Sequence, residues 1–426
     1  MAETDSRRNK KIICVLEYIL AASIVLECNT VISQLYGIHY LIRGSLCLIA
    51  AICSILIIVI RKKPIRVNKF IVAAIFIIPL LMLLNTDNMA GYFIILLPLT
   101  AVLFSFYLLF SSGEIESIKS VIRKFVKIVF ILAIVSLFFW VFGSLLKVIP
   151  SSGTVKYLWG RPYSVGESFF FLHNNAPGQT AWSWRIFGDS VFRNSGIFAE
   201  APMFSFVLAV ALVLNIWLKR DKMNIIREII FIVTIVTTFS ASGIVCAFFV
   251  LAYRLLQWLL SIKNKQKRCI LVIVISLAIA AAIVFSWEFI FNKISASSTS
   301  HRLLDFRNGL RSFAQNPILG NGINSPRPDE LSYTSGYGYS NAIVPVLVDG
   351  GIVLASHFVA AFCAFINRMK KDKYRTITTV LVCVSLGLTS LVSYRLVTVF
   401  LVAAGLSLAP VQLIRRNDAS KKRATK

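Results

Sequence analysis

Residues 202–218 have the sequence PMFSFVLAVALVLNIWL, which contains no charged side chain. A stretch of this kind approaches the ~20 apolar residues that a helix needs to cross the hydrocarbon core of a bilayer. The whole chain shares this character, because 57% of its 426 residues are hydrophobic and only 15% are charged. No single aqueous core buries so much apolar surface, so the composition indicates a polytopic membrane protein and argues against a soluble enzyme or a secreted disulfide scaffold.

Further apolar stretches of similar length lie on both sides of residues 202–218, which predicts an all-α membrane protein with about twelve transmembrane helices. We expect residues 1–426 to form a single membrane domain with only two long connections, at 147–201 and 288–341, and a basic tail at 415–426. Besides 202–218, the predicted spans cover residues 12–33, 40–60, 70–84, 92–110, 125–146, 225–239, 243–261, 269–287, 342–366, 376–393 and 396–414.

The distribution of charge predicts how these spans are oriented. The chain carries 45 Lys and Arg against 19 Asp and Glu, a formal net charge of +26. In the scheme of twelve spans, 32 of the basic residues lie on one side of the membrane and 11 on the other. Because basic residues gather on the cytoplasmic side, we expect both termini in the cytoplasm and both long loops outside. The basic residues are spread over seven short segments without interleaved aromatics, which argues against binding of nucleic acid.

Both long loops contain an arginine followed, after ten intervening residues, by a glycine. In the first loop these are Arg185 and Gly196, and in the second loop they are Arg311 and Gly322. The first pattern leads into GIFAEAP at 196–202, directly before the predicted sixth span, and the second ends in NPILGNG at 316–322.

At these residues the sequence resembles the Wzy-type polymerases of bacterial O-antigen and capsular polysaccharide, within the O-antigen ligase/polymerase superfamily. That family carries an Arg, ten residues, Gly pattern in each of two large periplasmic loops. The stretch GIFAEAP looks like its Gly-x-Phe-x-Glu-Pro segment, with Ala201 inserted before the proline. The stretch NPILGNG is similar to its Asn-Pro-Ile-x-Gly-x-Gly turn. Twelve spans and the positions of the two loops also match.

The resemblance implies a GT-C-like fold in the bacterial cytoplasmic membrane and an inverting glycosyl transfer at its outer face, without metal or other cofactor. A growing glycan on undecaprenyl pyrophosphate would be moved onto a sugar hydroxyl of the next lipid-linked repeat unit. The implied partners are undecaprenyl-pyrophosphate-linked oligosaccharide, membrane lipids and a chain-length regulator.

Two alternatives to a polymerase stay open at this point. The first is the O-antigen ligase, which places a His-Asn pair before the span that follows its large loop, where this chain has Ser340-Asn341. The second is a flippase or other transporter of lipid-linked oligosaccharides, which the two long outer loops disfavour.

Such a transfer requires cations that hold the pyrophosphate and a base that takes the proton of the attacking hydroxyl. Glu200, at the outer mouth of the sixth span, is the first candidate for the base, and Asp305 and His301 are the alternatives. The competing interpretation is that the Glu200 carboxylate only stabilises the start of a helix. The candidates for binding pyrophosphate and glycan are Arg185, Arg193, Gly196, Arg302, Arg307, Arg311, Gly320 and Gly322.

These candidates also have simpler explanations. Loop arginines often bind lipid headgroups or nearby carboxylates, and glycines often serve tight turns. Arg307 and Arg311 are expected on one face of a short helix, because four residues make about one turn.

Charged residues inside the predicted spans are costly unless they are paired or reach the interface. We expect Glu27 and Arg43 to form a structural pair near the outer face and Arg254 to reach toward the cytoplasm.

Overall fold

The computed structural model describes residues 2–84, 86, 89–159, 161–172, 182–183, 190–219, 221–271, 273, 297–323, 341–390 and 393–409. Within these ranges the chain is a bundle of helices with two small sheets. Most of the predicted ninth span, the tail at 415–426 and parts of both long loops lie outside the described residues.

The helices follow the apolar stretches of the sequence. Two π-helical turns (Tyr92–Leu96 and Trp140–Leu145) flank α5, and 3-10 turns lie at Ile32–Gln34 and Lys370–Asp372. The α-helices are α1 (Ala2–Glu27), α2 (His39–Arg61), α3 (Lys69–Leu84), α4 (Met89–Gly91), α5 (Leu97–Phe139), α6 (Ala201–Asn215), α7 (Lys222–Thr237), α8 (Ala241–Ser261), α9 (Ser297–Gln315), α10 (Ile343–Met369), α11 (Lys373–Thr389) and α12 (Leu396–Ser407).

Among the described residues, five helical segments are long and apolar enough to cross a membrane, and the helices α3, α6 and α12 are apolar but shorter. A helical membrane protein is therefore confirmed, whereas twelve spans and their orientation stay predictions. The five segments are His39–Arg61, Met89–Ser112, Ile115–Leu145, Ala241–Ser261 and Ile343–Thr389, the last of which runs over α10 and α11.

Helix α5 folds back on itself. The ring centroid of Phe400 on α12 lies 6.3 Å from that of Phe106 and 6.4 Å from that of Phe125. A straight helix would separate positions 106 and 125 by about 28 Å, so it could not place both rings against Phe400. The reversal falls between Ser112 and Ile115, where one candidate span ends and the next begins.

The first long loop contains an antiparallel sheet, which corrects the all-α prediction. Its strands are β1 (Gly153–Trp159), β2 (Arg161–Ser168) and β3 (Phe171–Leu172), in that order; β4 (Trp182–Ser183) pairs separately with β5 (Ser190–Val191). The physical reason is an alternation of side chains that a short β-strand requires, with Val155 and Tyr157 buried on one face of β1.

This sheet is fastened to the helices by apolar packing and a hydrogen bond. Val155, Tyr157 and Val165 form a small core with Val31, which follows α1. The Tyr157 hydroxyl donates to the carbonyl oxygen of Ala199, 3.1 Å away, directly before α6. We call this end of the bundle, with residues 193–200, the loop end. The opposite end, with residues 112–127 and 216–227, is called the basic end.

A buried carboxylate ties three helices together at the loop end. Glu27 is fully buried and accepts hydrogen bonds from Arg43 Nε (3.1 Å), Arg395 Nη1 (3.2 Å) and the backbone amide of Leu396 (2.7 Å). The predicted pair with Arg43 is confirmed, and Arg395 joins it at the start of α12. Since a buried charge without a partner is strongly destabilising, the group fixes α1, α2 and α12 relative to one another.

Two further ion pairs lie toward the basic end. Glu17 of α1 accepts from Arg61 of α2 at 2.7 Å. Arg254 of α8 donates through Nε to Glu228 Oε2 of α7 at 3.0 Å, so it is paired with a neighbouring helix.

The burial of Glu27 predicts a large cost for removing its charge. Glu27→Gln should lower the free energy of unfolding by about 3–5 kcal/mol, because the buried carboxylate is lost and two half-buried arginines lose their counter-ion. The matched control is Glu116→Gln, which breaks an exposed pair with Lys119 and should cost less than about 1 kcal/mol. Thermal unfolding of the purified protein in detergent measures both, and equal shifts in Tm would contradict the structural role of Glu27.

Candidate functional site

The segment that enters α6 is fixed to its neighbours by Asn194. The buried Asn194 side chain donates to Thr237 Oγ1 at 3.1 Å and Ser136 Oγ at 3.3 Å, and its carbonyl oxygen accepts from the Gly196 amide at 3.1 Å. Gly196 has φ +53°, and a Cβ there would lie 3.1 Å from the Phe204 ring. A tight turn that only glycine fits without strain therefore accounts for Gly196.

Arg193 lies half-buried beside the end of α7. Its Nε donates to the carbonyl oxygen of Thr238 at 2.8 Å. Because a guanidinium group is planar, this bond sets the direction in which its terminal nitrogens point.

Glu200 occupies the N-cap position of α6. Its backbone is extended (φ −151°, ψ 157°), and its carbonyl oxygen accepts from the Met203 amide at 3.2 Å. Its side chain makes no capping hydrogen bond, so the carboxylate is not used to close the helix. The group stands half-buried at the positive end of the α6 dipole, which stabilises an ionised carboxylate.

Helix α9 carries the candidates of the second loop on two different faces. Asp305 and Ser312 are buried, and Phe313 packs against α10, whereas Arg307 and Arg311 are exposed. The two arginines lie one turn apart on a common face, as the spacing predicts. Asp305 therefore points away from the arginine pair. The side chains of His301 and Arg302, although their backbone belongs to α9, and the whole of Arg185 lie outside the described residues.

Helix α10 is interrupted at Gly351, which has φ +60° and ψ −159°. In an unbroken helix the amides of Ile352 and Val353 would donate to the carbonyl oxygens of Val348 and Asp349. The break separates these pairs and leaves two amides and two carbonyls without their helical partners. Backbone groups inside an apolar bundle need other partners, since an unpaired one is costly.

The turn at residues 316–322 supplies those partners. The amides of Asn321 and Gly322 donate to the two α10 carbonyls at 2.7 and 3.0 Å. In return, the carbonyl oxygens of Pro317 and Ile318 accept from the two α10 amides at 2.9 and 3.2 Å. Turn and helix thus complete each other's backbone hydrogen bonding, which locks the C-terminal end of α9 onto α10.

The glycines of this turn permit the close approach. Gly320 and Gly322 have φ of +72° and +83°. A Cβ at Gly320 would overlap the carbonyl group of Asp349, and one at Gly322 would lie 2.7 Å from Thr86 Oγ1. The side chain of Asn321 also donates to the Ser312 carbonyl oxygen at 2.9 Å.

Asp349 and Tyr394, which the sequence analysis missed, extend this junction toward the first loop. The Tyr394 hydroxyl donates to Asp349 Oδ2 at 2.8 Å. Burial, reinforced by this carboxylate, raises the pKa of Tyr394 well above its ordinary value, so the hydroxyl stays a donor. An aspartate inside an apolar stretch was the signal that could have identified the pair.

The next residue, Arg395, continues the connection to Glu27 and so to the first loop. Two positions after Glu27, the carbonyl oxygen of Asn29 accepts from the Ala199 amide at 2.9 Å, beside Glu200. Within the described part of the chain, the side chains of Asp305, Arg307 and Arg311 make no hydrogen bond or ion pair with Arg193 or Glu200. Residues 393–396 connect the two loops through the bonds of Tyr394 to Asp349 and of Arg395 to Glu27.

The comparisons with known proteins concern the second long loop and the helices on either side of it. Residues 228–359 match the model of the O-Antigen ligase family (Wzy_C). The match runs from α7 into α10 and includes every second-loop candidate from His301 to Gly322, whereas the first loop lies outside it. It confirms the resemblance to the O-antigen ligase/polymerase superfamily over less than a third of the chain. The protein is thus a helical membrane protein with a region that matches a glycosyl-transfer-related enzyme family.

No curated protein and no solved structure matches the chain.

The interlocked backbone predicts that Gly320→Ala disrupts the junction between α9 and α10. The added methyl group meets the Asp349 carbonyl and a positive φ at the same time. The matched control is Gly37→Ala, where φ is +84° but nothing lies within 4 Å, so only the conformational cost of about 1–2 kcal/mol applies.

Limited proteolysis near residues 316–323 and the unfolding Tm measure both variants. Gly320→Ala should show faster cleavage and the larger fall in Tm. Indistinguishable variants would mean that the close approach contributes nothing to stability.

Proposed function

We propose that this protein is a polysaccharide polymerase of the bacterial cytoplasmic membrane. It transfers a growing glycan from undecaprenyl pyrophosphate onto a lipid-linked repeat unit at the outer face. The observation that carries the proposal is the exposed pair of Arg307 and Arg311 on α9, a helix held in place by the backbone junction with α10.

The arginine pair suits a pyrophosphate. The Cβ atoms of two arginines one helical turn apart lie about 6 Å from each other, which lets the two guanidinium groups bind adjacent phosphates. Both groups stay charged at any physiological pH. Within the described part of the chain, neither arginine has an acidic partner that would compete for it. A cationic pair on a fixed helix stabilises the negative charge that the leaving pyrophosphate gains.

The apolar side chains of α9 suit the lipid part of the same donor. Leu303, Phe306 and Leu310 are exposed on this helix beside the arginines. A polyprenyl pyrophosphate requires an apolar surface directly next to a cationic one. This combination favours a lipid-linked donor over a soluble sugar nucleotide.

The transfer proceeds as a single displacement. The carboxylate of Glu200 accepts the proton of the acceptor hydroxyl, whose oxygen forms a bond to the anomeric carbon of the donor sugar. The bond from that carbon to the pyrophosphate oxygen breaks with its electron pair, and undecaprenyl pyrophosphate leaves. Attack from the opposite face inverts the configuration. Glu200 is favoured over Asp305 because Glu200 is half-buried and its side chain is not used as a helix cap, while Asp305 lies on the buried face of α9.

An O-antigen ligase is the second candidate function, and the description of the matched family favours it. Asn341, the second residue of the Ser340-Asn341 pair, is buried and accepts from the Val344 amide at 2.8 Å at the start of α10. Its side chain is thus committed to the helix start, and the preceding serine lacks the titratable ring of the histidine that the ligase has there. These two residues favour the polymerase.

Two variants separate binding from proton transfer. Arg311→Ala should raise the KM for the donor and lower kcat by about two orders of magnitude, as removal of an anion-stabilising group does. Glu200→Gln should lower kcat by about the same factor with little change in KM, because it removes only the base. The control is Lys156→Ala, a loop-end cation that lies over the Tyr36 ring 4.4 Å away.

Full activity of both Arg311→Ala and Arg307→Ala at normal protein level would exclude the proposed pyrophosphate site. Full activity of Glu200→Gln would move the base to Asp305 or His301.

The acceptor distinguishes a polymerase from a ligase. A polymerase needs only lipid-linked repeat units, since donor and acceptor are the same kind of molecule at different lengths. Purified protein with undecaprenyl-pyrophosphate-linked repeat units should give a ladder of products spaced by one repeat, also in the presence of EDTA. Products that form only after addition of a lipid A core would assign the protein as a ligase, and dependence on divalent metal would contradict the metal-free transfer.

A further inference from the structure

At the basic end of the bundle, three segments line an open cavity of about 470 Å³. They are α1, the turns of α5 that follow the reversal, and the connection from α6 into α7. The wall carries six basic side chains against two acidic ones. The basic residues are Lys119, Arg123, Lys124, Lys127, Lys219 and Arg227, and the acidic ones are Glu116 and Asp221.

The two acids of the wall are already engaged with groups of their own segments. Glu116 pairs with Lys119 at 3.2 Å, and Asp221 accepts from the Asn224 amide at 2.7 Å as the N-cap of α7. Glu17, which precedes Tyr18 in α1, is bound by Arg61 and Ser120. Most of the positive charge in the wall therefore has no acidic partner among the described residues.

Several of the cations are held in position. The ammonium groups of Lys124 and Lys127 lie over the ring of Tyr18, at 5.0 and 5.5 Å from its centroid. Arg227 donates through Nη1 to Asn224 Oδ1 at 2.7 Å, and its Nε is buried without a hydrogen-bond partner. A buried donor without a partner lowers stability unless a ligand satisfies it.

The aromatic lining residue Trp217 is held in position as well. Trp217 donates through Nε1 to Thr379 Oγ1 at 2.9 Å, and the guanidinium of Arg375 lies 5.1 Å from its ring centroid. The three segments that line the cavity are thus held by packing, and α11 supports the lining residue Trp217.

Orientation of a membrane protein requires basic residues in its cytoplasmic segments, but it does not require them to converge on one cavity. Like charges that converge raise the energy of the empty site, and a bound polyanion removes that cost. We propose that this cavity binds a phosphate-bearing polyanion, either the headgroup of a lipid with two phosphates or a free diphosphate. Its position, where α1 and α5 change from charged to apolar sequence, corresponds to the headgroup level of a bilayer.

The test uses the full-length protein in nanodiscs of neutral phosphatidylcholine. One arm adds cardiolipin to the nanodiscs, and the other adds inorganic pyrophosphate to the solution. Binding is followed as the rise in unfolding Tm with increasing ligand, from which an apparent affinity is obtained. The variants are Lys124→Gln/Lys127→Gln and, as a second change that touches no packed side chain, Lys219→Gln. The control is Lys263→Gln/Lys265→Gln, two exposed basic residues that follow α8 outside the cavity.

The proposal predicts saturable binding in at least one arm and a loss of about fivefold in affinity for each cavity lysine removed. The control variant should bind like the wild type and unfold at the same Tm without ligand. The cavity variants should unfold without ligand at that Tm or above it, because they remove repulsion between like charges. Binding only with cardiolipin identifies a lipid headgroup, and binding only with pyrophosphate identifies a free ligand. Absence of saturable binding in both arms, or an equal loss in the control variant, would overturn the proposal. Neither result depends on the glycan transfer at the loop end.

Discussion

A charge buried in an apolar bundle must be paired, and the position of Glu27 shows how much of this structure follows from that requirement. Its carboxylate receives two guanidinium groups and the first amide of α12, so the ends of α1, α2 and α12 cannot move independently. Both long loops are attached close to this point. The first reaches it through Ala199 and Asn29, and the second reaches it through Asp349 and Tyr394.

This arrangement holds the proposed catalytic groups in fixed positions. Glu200 follows directly after a segment pinned by Asn194, and the exposed arginines of α9 stand on a helix whose end shares backbone hydrogen bonds with α10. Groups that must hold a pyrophosphate while a bond breaks benefit from fixed positions, because no reorganisation is then needed at the moment of reaction. The proposed base and the arginine pair belong to different loops.

The sequence was informative wherever a local pattern decides the structure. Apolar length predicted the helices, including the separation of α5 into two halves, and the spacing of Arg307 and Arg311 predicted their common face. The sheet was missed because its alternation covers only a few residues inside a loop that is otherwise rich in aromatics. Asp349 and Tyr394 were missed because the partners are 45 residues apart, and Arg395 reaches Glu27 across 368 residues. The break at Gly351 was not predicted either, because two adjacent glycines in an apolar run are also compatible with an uninterrupted span.

The exchange of backbone hydrogen bonds between the turn at 316–322 and α10 also bears on how the chain enters the membrane. A helix interrupted at Gly351 would present two unpaired amides to lipid, and each such group costs several kcal/mol there. The turn lies ahead of α10 in the chain, so it has left the ribosome before the helix that needs it. The loop that precedes α10 therefore supplies the hydrogen-bond partners of the span that follows it, and α10 completes its backbone hydrogen bonding only once that loop is in place.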